Sequence, residues 1–460
     1  MSNAAESQGW TSQPSGRGSL AIVWGCATTI FLCCWTALCL NVPPSEWTRW
    51  RILRQKLYMT CLGILGPEFV FSLALGQFVS ARRSVRDFRR LGYSGWTVTH
   101  AFYADMGGFL LKTADWCAFP VDAKQVLYLV DKGYISAADV IIEDSILADK
   151  NKSDGMVRFI TVCQILWFLI SCLGRAVQHL AMTTLELTTL GFILCSVGTF
   201  VCWAGKPQDV TVAIVIESNT HLSDILTRAG EAAKHPYKFT PLDFVGRDSS
   251  SWMLYWMYYF NILRKMRLVF PSKKRPLDKI PDGLFRDLTV PTRVLLFTVQ
   301  IAYGAVHIAG WNFHFPTSIE RTLWHFATIA MISSLTSAWI MDVMVWQGMS
   351  LFRLAWSKLR RHGAKSMLVQ NDIEKAESYS GKRKTRGLHR LAARLRNNSP
   401  QCDPSMELPL KVIFPITAIG ATYVIARAYI LVADMISLRS VSPSAFETVN
   451  WMQFWPWNLS

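Results

Sequence analysis

Residues Leu20 to Val42 read LAIVWGCATTIFLCCWTALCLNV, an apolar run without Asp, Glu, Lys or Arg that is closed by Pro43 and Pro44. A helix needs about 20 such residues to cross about 30 Å of hydrocarbon, so this stretch predicts a membrane span. It is longer than the apolar segment of a signal peptide, and no small-x-small cleavage site precedes the prolines. The expectation is therefore a retained anchor. Residues 1–18, rich in Ser, Gly, Asn and Gln, are expected to be disordered.

The same reading carried outward finds six further runs: Tyr58 to Ala81, Val157 to Leu180, Thr183 to Ala204, Val294 to Trp311, Leu323 to Val345 and Val412 to Ala433. The expected fold class is all-α, a polytopic membrane protein with about seven transmembrane helices and helical cytosolic loops. With 51% hydrophobic and 17% charged residues in 460, the chain is too apolar for an ordinary soluble protein. The short alternating segments of a β-barrel are absent. The third and fourth runs are so close that a tight antiparallel hairpin is expected. Trp252 to Phe270, aromatic but broken by Arg264, Lys265 and Arg267, reads as a helix lying in the interface.

These runs divide the chain into a first pair of spans (19–81), a small cytosolic cap (82–156), the hairpin (157–205), a cytosolic loop holding the interfacial helix (206–291), a second pair of spans (292–346), a basic flexible loop (347–407), a last span (408–434) and a tail (435–460). The net charge of +16 gathers beside apolar runs, as at Arg82, Arg83, Arg86, Arg89 and Arg90. That pattern points to topology and anionic lipid and away from nucleic acid. Segments 206–291 and 347–407 hold 13 Lys and Arg each, which assigns both to the cytosol together with 82–156. Seven spans then put the N-terminal segment in the cytosol and the tail, with Trp451, Trp455 and Trp457, in the lumen. Arg49, Arg51, Arg54 and Lys56 oppose this, since their loop would be lumenal. Most of the 11 cysteines lie in apolar runs and no C-x-x-C pair exists, so neither zinc nor a disulfide framework is indicated.

An ionisable side chain inside a span is costly unless it faces the bundle interior, which makes each one a functional candidate. Glu68 follows Pro67 in the middle of the second run, where the proline kinks the helix. A carboxyl there is either a proton donor or the packing partner of an Arg or hydroxyl on a neighbouring helix. Arg175, Gln178 and His179 end the third run and Glu186 begins the fourth; Arg175 and His179, four apart, share a helical face and form either a ligand site or an interfacial ion cluster. Asp342, Arg427 and Asp434 lie near run ends and read as interface anchors. Outside the membrane, Thr97 to Phe109 contains His100, Tyr103 and Asp105, all capable of proton transfer, and Gly107-Gly108, which permits close backbone approach. The candidate catalytic residues are Glu68, Asp105 and Glu186, and the candidate substrate-binding residues are His100, Tyr103, Arg175 and His179. No metal ligand set, diphosphate-binding acidic motif, Gly-rich phosphate loop or dinucleotide fingerprint is present, so no cofactor is expected.

Six segments carry a resemblance: Leu40-Asn41-Val42-Pro43-Pro44, Pro67-Glu68-Phe69, Thr99 to Phe109, Leu185 to Leu190, Lys206-Pro207-Gln208-Asp209-Val210 and Ser437-Leu438-Arg439-Ser440. Along nearly its whole length the chain resembles a large group of fungal multi-pass membrane proteins, and it is similar to membrane terpene cyclases of the macrophorin-pathway type. The resemblance implies cyclisation of the linear sesquiterpenoid tail of an epoxycyclohexenone meroterpenoid, begun by protonating the terminal olefin. It also implies an endoplasmic reticulum or other endomembrane location, lipid and other pathway enzymes as partners, and no metal. Missing diphosphate motifs agree with that chemistry, and the 19 Trp, 25 Phe and 13 Tyr supply aromatic walls for a cation. A small-metabolite transporter using Glu68, and a non-catalytic scaffold or sensor, are the competing expectations.

Overall fold

A computed structural model describes residues 8–12, 17–143, 155–234, 237, 239–246, 251–266, 276–284, 286, 288–344, 396–397, 408 and 410–454. Most of the basic loop 347–407, with Arg267, Trp455 and Trp457, lies outside the described residues. The helices are α1 (Ser19–Ala37), α2 (Arg49–Leu65), α3 (Pro67–Arg90), α4 (Val98–Asp105), α5 (Ala123–Asp131), α6 (Gly155–Val177), α7 (Thr184–Cys202), α8 (Leu222–Ala229), α9 (Ser251–Lys265), α10 (Val290–Ile308), α11 (Ser318–Asp342) and α12 (Leu410–Ile436). Five of them, α1, α6, α7, α11 and α12 with its extension to Arg439, are long and apolar enough to cross a membrane. Among the described residues that measure gives five candidate spans, or six if the bent pair α2–α3 is one span, and does not reach the expected count of about seven. Helix α10 carries Arg293, Gln300 and His307 and is not among the five.

The second expected span is two helices. Pro67 has no N–H to continue α2, and Gly66 closes α2 by donating to the Leu62 carbonyl at 2.9 Å before the chain turns by 113° into α3. A Cβ at Gly66 would stand 2.4 Å from the Phe69 ring, so the corner requires glycine. Both helices reach the same polar layer about ten residues from the corner. Gln55 of α2 donates to Asp282 at 3.1 Å, and Gln77 and Ser80 of α3 bond Lys206 and Asp105 at 2.9 Å each.

The chain forms two compact units, the first comprising Met1–Asp248, Ser272–Ile332 and Val424–Ser460, the second Ser249–Pro271 and Ser333–Tyr423. In the first unit, Ile22, Cys26 and Cys33 of α1 pack between Ile165, Phe168 and Cys172 of α6 and Leu185 and Ile193 of α7. The buried cysteines act there as small apolar side chains. Gly198 lets Phe71 of α3 close on α7, and Gly304 lets Ile332 of α11 close on α10. In the second unit, Leu254, Tyr255 and Tyr258 of α9 pack with Val412, Ile413 and Ile416 of α12.

Two expectations fail outside the helices. The cap is not wholly helical: β1 (Phe109–Thr113) pairs antiparallel with β2 (Trp116–Val121) and parallel with β3 (Ile214–Ser218). Gly107, at φ 81, and Gly108, whose missing Cβ leaves room for the Tyr103 ring, turn the chain from α4 into β1. The described part of 1–18 is also held in place. Gln8 and Val441 exchange backbone hydrogen bonds of 2.9 Å in both directions, and Arg17 N–H donates to the Phe446 carbonyl at 3.1 Å. The N-terminal segment and the tail therefore lie together, against the expectation of opposite membrane faces.

Candidate membrane-embedded site

Polar side chains from α3, α7, α10, α11 and α12 converge inside the first unit. Arg427 and Asp434 of α12 are seven residues apart, two helical turns, and so share a face. Both are buried, Asp434 completely. The Arg427 Nη1 lies 3.4 Å from His307 Nε2, and its guanidinium stands 5.1 Å from the Phe192 ring centroid and 5.4 Å from that of Tyr303. His307 Nδ1 is 3.1 Å from the Tyr303 carbonyl, one turn back on α10, which only accepts. The network thus assigns the proton to Nδ1 and leaves Nε2 to accept from Arg427. Trp324 of α11 closes the site with its ring 6.2 Å from His307.

Glu68, fully buried in the first turn of α3, belongs to the same electrostatic neighbourhood: Arg427, Glu68, Cys195 and Asp434 all act on Tyr303. A half-helix beginning inside the bundle points its positive end at this carboxyl. Towards the other end of the column, Thr184 and Thr188 of α7 are the hydroxyls nearest Asp434. From Thr184 to Cys195 the column extends about 16 Å along α7 at the ordinary helical rise. Tyr303 Oη, Trp324 Nε1 and Thr328 Oγ1 are buried without a hydrogen-bond partner, and the Asp434 carboxyl has the Thr184 and Thr188 hydroxyls as its partners. Buried polar atoms are nearly always satisfied, and such a concentration marks space for a guest or for water.

The other candidates from sequence stand elsewhere. Glu186 completes a capping box, accepting from Thr183 N and Oγ1 at 2.9 Å each, and pairs with Arg17. Arg175 donates to the carbonyls of Ala181, Ser444, Ala445 and Glu447 and clamps the tail onto the hairpin turn. It shares no helical face with His179, because α6 ends at Val177 and His179 is exposed at φ 55. In the cap, His100 completes the α4 capping box with Thr97 while its Nε2 lies 2.7 Å from the Ile142 carbonyl, and the Tyr103 hydroxyl donates to Val212 at 3.3 Å. Asp105 accepts from Ser80 at 2.9 Å, Ala123 N–H at 3.2 Å and Arg286 at 3.3 Å. Burial pushes this carboxyl above the usual carboxylate range, with Arg286 opposing and Asp122 adding to the shift. Ser80 follows Glu68 by twelve residues on α3, about 18 Å, so Asp105 and Glu68 do not meet.

Between column and cap lies a second buried network that sequence reading did not foresee. Lys206 donates to the Cys39 carbonyl at 2.8 Å and to Gln77 at 2.9 Å, and burial lowers the pKa of its ammonium. Asp282 accepts from Asn41 N–H at 2.6 Å and Lys279 at 2.8 Å. These bonds fix α2 and α3 and hold Glu68 at depth. Among the described residues, no group of three or more His, Cys, Asp and Glu is arranged to hold a metal ion.

A family profile described as "Family of unknown function (DUF8562)" matches residues 1–228 and 285–364, about two thirds of the chain. No curated protein and no solved structure matches it.

Proposed function

The chain belongs to this family of unknown function, so its chemistry must be argued from its own residues, and we propose that it is a membrane-embedded terpene cyclase working by proton transfer. The observation that carries the reading is the fully buried Asp434 carboxyl, held by the Thr184 and Thr188 hydroxyls, together with the unpartnered Tyr303 Oη, Trp324 Nε1 and Thr328 Oγ1, beside the rings of Trp324, Tyr303 and Phe192. One guanidinium, always charged, acts on Asp434, and it shares Tyr303 and Cys195 as neighbours with Glu68. One carboxylate balances Arg427, which leaves the other to carry a transferable proton. Asp434 is the proposed acid and Glu68 the balancing anion; Asp105 and Glu186 are satisfied in structural contacts away from the column.

In the proposed reaction the carboxyl proton adds to the terminal olefin of a linear sesquiterpenoid tail. Internal double bonds close the rings, and the last cation returns a proton to the carboxylate, so product and substrate have the same formula. Aromatic faces stabilise the cation. The substrate is a meroterpenoid of the epoxycyclohexenone type, and the setting is an endomembrane such as the endoplasmic reticulum.

The finer topology belongs to the same proposal. Helices α1, α6, α7, α10, α11 and α12 make six crossings, and α2–α3 is a re-entrant pair with Glu68 near its tip. The layer that α2 and α3 reach then faces the cytosol with the basic loops. Arg49, Arg51, Arg54 and Lys56 fall on that side too, which removes the one objection to the charge rule.

Microsomes from a fungus expressing the chain, fed farnesyl-bearing epoxycyclohexenones, should yield a product of unchanged mass and shifted retention time. The re-entrant pair favours a second reading, a proton-coupled carrier. Substrate-dependent flux into sealed vesicles without any isomer would replace the first reading by the second.

A further inference from the structure

A cleft of about 300 Å³ opens where α7 begins and the tail leaves α12, lined by Thr183, Thr184, Asn312, His314, Ser437 and Ser442 with a few apolar neighbours. We infer that this cleft is an aqueous port that admits water and protons to Asp434 from the face where the N-terminal segment and the tail lie together. The inference rests on the proposed reading of Asp434 as a proton-exchanging acid.

Three observations meet at its inner wall. Thr184 and Ser437 line the cleft and hydrogen-bond each other at 2.9 Å, and Ser437 Oγ also donates to the Asp434 backbone carbonyl at 3.1 Å. The cleft and the buried acid are therefore one wall apart, with Thr184 belonging to both surroundings. Behind the wall, the Asp434 carboxyl is held by the Thr184 and Thr188 hydroxyls, and with the unpartnered Tyr303 Oη and Trp324 Nε1 it offers the two to four polar contacts that a buried water needs. In front of it, the cleft has room for several waters.

The lining chooses water over an ionic guest. It offers hydroxyls, an amide and an imidazole but no Lys, Arg, Asp or Glu, and the nearby charges are engaged: Arg17 with Glu186, Arg439 with Glu320, and Arg175 with four carbonyls. Charged groups that act on Asp434 from the packed helices are Arg427 on its own helix and, around the shared Tyr303, Glu68 of α3.

The test uses carbodiimide modification of carboxyls in the full chain in sealed vesicles of known orientation, read by peptide mass spectrometry at Asp434. A water-soluble carbodiimide applied to the face bearing the tail should modify Asp434. In a Ser442→Cys protein, prior reaction of the new thiol with a bulky, membrane-impermeant methanethiosulfonate should slow that modification at least tenfold. The unreacted Ser442→Cys protein is its own folding control, and Asn312→Trp, which narrows the mouth, should slow it in the same direction. Modification only from the opposite face, or at a rate indifferent to the blocked thiol, would overturn the port. Turnover is not read in this experiment, so an Asp434→Asn protein that still cyclised substrate would sink the acid assignment and leave the port standing.

Discussion

Glycine at position 66 turns an apolar run into a corner. Because a Cβ there would meet the Phe69 ring at 2.4 Å and Glu68 Oε1 at 3.2 Å, Gly66→Ala should cost about 1–3 kcal/mol of stability. It should also lower activity by moving Glu68. Thermal unfolding in lipid nanodiscs, read beside turnover, checks both effects, and an unchanged melting temperature would mean the corner is not strained. Lys206 gives a pH signature. Burial depresses its folded pKa below the 10.5 of the unfolded chain, so the folded state carries a penalty at lower pH that is relieved as pH rises through the window ending at 10.5. Lys206→Met should remove this slope and cost about 1–3 kcal/mol by leaving the Cys39 carbonyl without its donor, while Gln77 Oε1 keeps the Trp203 indole N–H. Equal slopes for the two proteins would refute the assignment. Asp434 and Arg427 were legible in principle: seven residues apart in an apolar run, they had to share a face. Nearness to the run end suggested anchors instead, whereas α12 continues to Ile436 and buries both side chains.

At the scale of elements, apolar length identified every long helix, since crossing lipid and packing in a bundle both demand it. The same signal could not separate a span from the α2–α3 corner, where α2, at 17 residues, is short and α3, at 24, is charged beyond Ala81, yet the apolar halves run together through the corner. Nor did it find β1 to β3, whose register depends on β3 returning about a hundred residues later to pair with Phe109. Cytosolic placement of both ends of α2–α3 predicts an outcome for cysteine scanning. Thiols placed at Gln55 and Arg83 should react with an impermeant maleimide from the same face of sealed microsomes. Reaction of the two from opposite faces would restore a spanning α2–α3. Glycosylation acceptors inserted beside Gly9 and beside Asn450 should both be modified in the lumen, since the Gln8–Val441 pairing keeps those segments together.

For the whole molecule, a cap network tied to Lys206, Asp282 and Asp105 fixes one end of a membrane bundle, and the bundle encloses one guanidinium, two carboxyls and a set of unsatisfied hydroxyl and indole groups. Sequence alone located only Glu68 of that set as a candidate, because the others reach the site from four separate helices. Arg427→Lys should abolish activity while largely preserving fold, since an ammonium cannot span His307 and both aromatic faces as a planar fork does. The most direct test of the central claim is turnover in deuterated buffer by purified protein in nanodiscs, comparing wild type with Asp434→Asn and Glu68→Gln. The account predicts one deuterium in the cyclised product of wild type, no cyclised product from Asp434→Asn at wild-type fold stability, and a reduced rate from Glu68→Gln. Full cyclisation by Asp434→Asn, or product without deuterium, would contradict it.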